Sequence, residues 1–315
     1  IGLVGSVVAA VHHAEVIAHR VGEPFGTLVL ALAVTIIEVA LIVSMMMSGG
    51  EATMGLARDT IFAAVMIILN GIIGASLLLG ARKHLVQDFS LEGVTAALGT
   101  MTVIVTFALI LPSFSTTAPG PVYTSKQLTF VAIMTLVLFG AFTFFQTVRH
   151  RDYFLADDDE DGHHHAAPPS LKVTLTSLGF LLICLAIVVL LAKSLSPAVE
   201  GMVASIGAPA SLVGVIIAAV VLLPEGLAAV RAASRNHLQT SLNLSLGSAL
   251  ACIGLSVPTV VAVCLIYDIN LGLGLDIKSM VLLGLSVFIV MLSLNQGRTN
   301  ILYGVVLLVN MAAYI

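Results

Sequence analysis

An all-α polytopic membrane protein, with about ten transmembrane helices arranged as two inverted five-helix repeats, is the fold class that this sequence predicts. Three features carry that reading. The chain is 59% hydrophobic and only 10% charged, with a mean hydropathy of +1.11, values outside the range of soluble domains. Apolar stretches of the roughly 20 residues needed to cross a bilayer core recur along all 315 residues with short polar gaps between them. They do not alternate apolar and polar residues as barrel strands would. A long acidic, His-rich gap then divides the stretches five and five.

In chain order the spans fall near residues 1–18, 25–47, 60–80, 93–112, 127–148, 171–192, 203–230, 240–266, 279–295 and 299–315. The first opens on Ile1-Gly2-Leu3-Val4, without a methionine or a basic signal start, so an upstream segment and with it a further helix are expected. Its far end carries His12, His13, Glu15 and His19 at helical spacing, read as a solvated helix end rather than a metal site. The second span holds Thr35 and Glu38, and the third Asn70. The seventh holds Pro224-Glu225-Gly226, and the eighth Ser245 and Ser248. Cys184, Cys252 and Cys264 lie singly in apolar stretches without metal-type spacing and read as small packing residues.

Residues 1–148 form the first predicted repeat, 149–170 a linker and 171–315 the second repeat. Five is odd, so homologous halves would enter the membrane in opposite orientations, the plan of many secondary transporters. Nine of the thirteen Lys and Arg residues fall in the gaps on one side, among them Arg82, Lys83, Arg149, Arg151, Arg231 and Arg298. That excess predicts a cytoplasmic location for that side. The linker lies there too, and its run Asp157, Asp158, Asp159, Glu160, Asp161 followed by His163–His165 reads either as a solvated connection or as a regulatory cation site.

Glu38 and Glu225 are the two acidic residues inside the apolar stretches. Even lenient insertion scales charge roughly 2.5–3.5 kcal/mol for such a group at mid-bilayer, so it marks an ion or proton pathway unless it is a neutral acid bonded within the bundle. Each lies roughly 20 Å along its span, near the midplane, and inverted repeats would bring the two together as an acidic cation site. Pro224 removes a backbone donor and Gly226 loosens the helix, which predicts a break whose freed carbonyls face a ligand. Thr35, Asn70, Pro224, Ser245 and Ser248 are candidate auxiliary ligands. The P-loop, G-x-S-x-G and H-E-x-x-H motifs are all absent, which argues against ATP-driven pumping and hydrolysis. A channel and a membrane enzyme are the rival readings. The expected partners are lipid and small inorganic cations, with no nucleic acid and no resident cofactor.

Gly22-Glu23-Pro24-Phe25-Gly26 through Glu38, and Pro224-Glu225-Gly226 through Asn243 to Gly247-Ser248 and Val257-Pro258, resemble the two α-repeats of the calcium/cation exchanger superfamily, cation/proton antiporter branch. Arg58-Asp59-Thr60, Gly80-Ala81-Arg82-Lys83 and Gly297-Arg298-Thr299-Asn300 fit the same branch. The resemblance implies that Glu38 and Glu225 are the essential cation- and proton-binding glutamates. It also implies exchange of Ca2+, and of Na+ or K+, for protons. Plant and archaeal calcium/proton exchangers carry Gly-Asn-Ala-x-Glu at these places, whereas this chain has Val34-Thr35-Ile36-Ile37-Glu38 and Val221-Leu222-Leu223-Pro224-Glu225. The loss of both asparagines implies a relaxed site.

Overall fold

The computed structural model describes residues 2–22, 25–49, 54–154, 169–207, 209 and 211–315. Among them stand ten helical rods: α1 (Gly2–Val21), α2 (Phe25–Gly49), α3 (Leu56–His84), α4 (Leu91–Phe114), α5 (Ser125–Arg149), α6 (Leu171–Ser205), α7 (Ser211–Ser234), α8 (Leu238–Tyr267), α9 (Ile277–Ser293) and α10 (Ile301–Tyr314). Length and apolar composition suffice for a membrane crossing in α1, α3, α4, α5, α6, α7 and α8, while α9 and α10 are shorter apolar helices. The chain is a multi-pass membrane protein. Its outward faces carry large apolar side chains such as Leu182, Phe288 and Ile133, as a lipid-facing surface requires.

Local chemistry sets the rod ends. Thr124 and Gln127 close a capping box at the start of α5, and Asp276 and Asn300 accept backbone N–H bonds at the starts of α9 and α10. α3 is not uniform, because a π-helical stretch at Ile67–Ile72 separates its α-helical parts Leu56–Met66 and Ile73–His84. Two expectations are corrected. Residues 203–205 belong to α6, which runs 35 residues until Gly207, at φ +69°, supplies the left-handed turn that ends it. The break expected at Pro224-Gly226 does not occur. α7 continues from Ser211 to Ser234 through Pro224, and Gly226 serves close packing instead, with Ile72 of α3 lying where a β-carbon would meet it at 3.2 Å.

Helix pairing repeats across the two halves. α1 packs on α6, α2 on α8 and α7 on α3, α3 on α10 and α8 on α5, α4 on α8 and α9 on α3. Exchanging each rod for the one five places on maps α1–α6 onto itself and each other pairing named here onto its counterpart. The loops obey the same exchange on opposite faces. Strands β1 (Gln87–Asp88) and β2 (Arg298–Thr299) join the α3–α4 and α9–α10 loops antiparallel, with Gln87 opposite Thr299. On the other face a bridge between Val122 and Gly272 joins the α4–α5 and α8–α9 loops.

These and other loop contacts keep each face to itself. On the Lys/Arg-rich face Lys83 reaches the Ser234 carbonyl, Arg20 the Pro169 carbonyl and Asn243 the Phe154 carbonyl. On the opposite face Arg58 reaches the Gly274 carbonyl and Ser113 the Leu275 carbonyl. α3 and α8 are the most enclosed rods; both candidate-site helices, α2 and α7, pack against them.

Candidate functional site

Glu38 and Glu225 are the only acidic or basic side chains buried among the described residues, at 3% and 4% exposure. α2 and α7 present them to the same face of α8. There Ser248, Cys252 and Ser256 recur every four residues, a rise of about 6 Å per step, and form a single stripe of small donors. Cys252 Sγ donates to Glu38 Oε1 at 2.9 Å and Ser256 Oγ to Glu38 Oε2 at 3.1 Å. Ser248 Oγ donates to Glu225 Oε2. The two carboxyl groups are thereby stacked along α8, within electrostatic reach of each other and both of Cys252.

The other sequence candidates divide between this site and other places. Thr35 is buried one turn before Glu38 on α2, and Pro224 is half-buried beside Glu225 on α7. Having no N–H, Pro224 leaves the Val220 carbonyl without its helical donor. Ser245 Oγ donates back to the Ser241 carbonyl of its own helix. Asn70 enters a separate buried cluster. It donates to Ser286 Oγ of α9 at 2.8 Å and accepts from Asn310 Nδ2 of α10 at 2.9 Å, and Asn310 also donates to Ser286 at 2.9 Å. Cys252 was read in the sequence as a packing residue, and Ser256 was not singled out. Their signal was the four-residue spacing from Ser248 on a helix facing both glutamates.

The histidines of α1 make ring contacts. His12 and His13 pack ring against ring, and His13 stacks on Phe180 of α6 at a centroid distance of 5.2 Å. Among the described residues no three His, Cys, Asp or Glu side chains converge on a metal position in this conformation. Asp157, Asp158, Asp159, Glu160 and Asp161, like His163–His165 and Glu23-Pro24, lie outside the described residues.

The geometry thus gives a buried, donor-capped carboxylate pair at the heart of a membrane bundle, and the sequence comparisons fix the family of the chain that carries it. The profile described as "Sodium/calcium exchanger protein" matches residues 1–148 and 176–315. The chain belongs to this exchanger family. It is therefore a transporter of inorganic cations and not an enzyme. The exchanger is 46% identical over 308 residues to the "Putative ionic transporter y4hA" of Sinorhizobium fredii, covering 96% of this chain and 83% of that one. It is 36% identical over 318 residues to the "Sodium-potassium/proton antiporter ChaA" of Escherichia coli, covering 100% and 86%. The fold matches that of native YfkE with a TM-score of 0.77 at 17% identity, over 99% of this chain and 87% of that one. It matches the H+/Ca2+ exchanger CAX with a TM-score of 0.70 at 11% identity, over 98% and 79%.

Proposed function

We propose that this exchanger moves cations against protons by alternating access, with Glu38 and Glu225 holding either a cation or protons. The observation that carries the reading is the pair itself: two carboxyl groups buried at mid-helix, stacked on one face of α8 and capped only by neutral donors. A carboxyl group out of water prefers to be neutral, and a nearby cation favours its ionised form. Cation and proton therefore compete for one site. An empty, doubly ionised site is costly to move through the membrane, which suppresses leak. The matching helix pairings and loop bridges favour two inverted repeats, residues 1–148 and 171–315, rocking against each other. The Lys/Arg-rich face, with the 149–170 linker, is assigned to the cytoplasm of a bacterial plasma membrane.

The site favours Ca2+ together with Na+ or K+. Calcium takes 6–8 oxygen ligands and two carboxylates supply at most four, so Thr35, Ser248, water or the Val220 carbonyl must complete its shell. Monovalent ions need fewer. ChaA is a sodium-potassium/proton antiporter and CAX an H+/Ca2+ exchanger, and this chain lies between their chemistries. Acid-loaded proteoliposomes presented separately with Ca2+, Na+ and K+ test the assignment. Proton release with calcium and with at least one monovalent ion is expected; no release with any of them refutes antiport, and passage of ions without a counter-gradient identifies a channel.

A further inference from the structure

Cys252 brings a soft donor into contact with the carboxylate pair. Its sulfur lies 2.9 Å from Glu38 Oε1 and it is 3% exposed. Cys252 and Cys264, which lies about three turns farther along α8, both belong to the hydrophobic core, but of the two it is Cys252 whose sulfur meets a carboxylate oxygen. Cys184 sits on α6, partly buried against the α1–α2 cluster. Ser248 and Ser256, one turn either side of Cys252, offer the same glutamates hard hydroxyl oxygens.

We propose that Cys252 sets the class of cation this exchanger tolerates, its thiol being a ligand for thiophilic divalent ions such as Cd2+ that Na+, K+ and Ca2+ leave unused. The proposal rests on the reading of Glu38 and Glu225 as the cation site. A cation that takes the Glu38 oxygen meets the sulfur at once, because the two are in contact. Alkali and alkaline-earth ions prefer oxygen, whereas Cd2+ and Zn2+ accept thiolate. With a hard ion the thiol remains an S–H donor to Glu38. With Cd2+ one metal–sulfur bond forms and the thiol proton leaves to water, without any change of oxidation state.

Cd2+ held by the Glu38 oxygen and the Cys252 sulfur together leaves the site more slowly than an ion held by oxygens alone, so Cd2+ acts as a tight inhibitor of exchange.

The test measures inhibition of Ca2+- or Na+-driven proton release by Cd2+ in proteoliposomes, together with the ultraviolet thiolate-to-cadmium absorption band of detergent-purified protein, which lacks tryptophan. Cys252→Ser is expected to weaken Cd2+ inhibition by about ten-fold or more relative to its own calcium affinity and to abolish the band. The double variant Cys184→Ser, Cys264→Ser, which keeps Cys252 as the sole thiol, is expected to retain both. Unchanged cadmium potency in Cys252→Ser overturns the proposal. So does loss of inhibition and band in the folded double variant, which needs no alteration of the site. If wild-type protein drives no proton movement with any cation, the antiport reading fails, while the absorption band still decides the thiol's role.

Discussion

Replacing Gly304 by alanine tests how the scaffold around the site is held. Gly304 of α10 faces Gly74 and Leu78 of α3, and a β-carbon there would lie 2.5 Å from the Leu78 amide nitrogen and 2.8 Å from the Gly74 carbonyl oxygen. Both are backbone atoms that cannot rotate aside. Reaching ordinary contact, near 3.4 Å, obliges α10 to retreat from α3 by about 1 Å, and overpacking of this kind costs about 1–3 kcal/mol. The same retreat stretches the 2.9 Å bond that Asn310 makes to Asn70 of α3. Interhelical bonds in membranes average about 0.6 kcal/mol with a maximum near 1.7. The expected total is therefore about 2–4 kcal/mol, read as the change in unfolding free energy in mixed micelles titrated with a denaturing detergent. Gly284→Ala on α9, where a β-carbon meets nothing within 4 Å, is the control. Because Gly304→Ala already loosens the Asn310 bond to Asn70, adding Asn310→Ala is expected to cost less than it does alone. A Gly304→Ala protein as stable as Gly284→Ala, or a fully additive double variant, would refute the close-packing account.

Three further outcomes follow from other parts of the molecule. Asp276, at the mouth of α9, is held below the usual carboxylate range by the Ser279 hydroxyl and by backbone donors including the Lys278 N–H. Its capping contribution is thus present above the unfolded carboxyl range and lost as the pH falls through the lower folded value, and Asp276→Ala is expected to cost about 0.5–2 kcal/mol near neutrality and nothing in strong acid. Deleting Asp157 to His165 is expected to leave exchange in proteoliposomes intact, altering at most its dependence on cation or pH on the linker side; complete loss in a folded deletion would give the linker a role in transport itself. Ser248→Ala removes the hydroxyl donor to Glu225 and is expected to weaken cation affinity by about ten-fold, the measure of one charge-assisted bond, with an unchanged affinity arguing against Ser248 as a neighbour of the bound ion.

The course of the chain was legible because apolar stretches long enough to span a bilayer permit few foldings. The burial of Glu38 and Glu225 within the bundle was legible for a related reason, since a carboxyl group in an apolar helix is costly unless it is turned inward to polar partners. What the sequence obscured was which face of each helix meets which neighbour. Asn70 looked available to a cation, but the neighbours that engage it, Ser286 and Asn310, lie 216 and 240 residues away in the chain. Cys252 looked like packing because its partner, Glu38, is 214 residues distant. Pro224 suggested a break, yet a single missing N–H is tolerated where Gly226 lets α3 press close and support the helix. The extent of α6 was hidden as well, since apolar residues continue past the length of a span and only the conformation at Gly207 ends the helix.

Glu38→Gln and Glu225→Gln, each reconstituted into acid-loaded proteoliposomes, put the central claim to its most direct test. Glutamine keeps the size of the side chain and an acceptor for Cys252, Ser256 or Ser248, and removes only the titratable charge. The account predicts that each variant inserts as folded protein and that neither releases protons on addition of Ca2+, Na+ or K+. Proton release near the wild-type rate by either variant would contradict it.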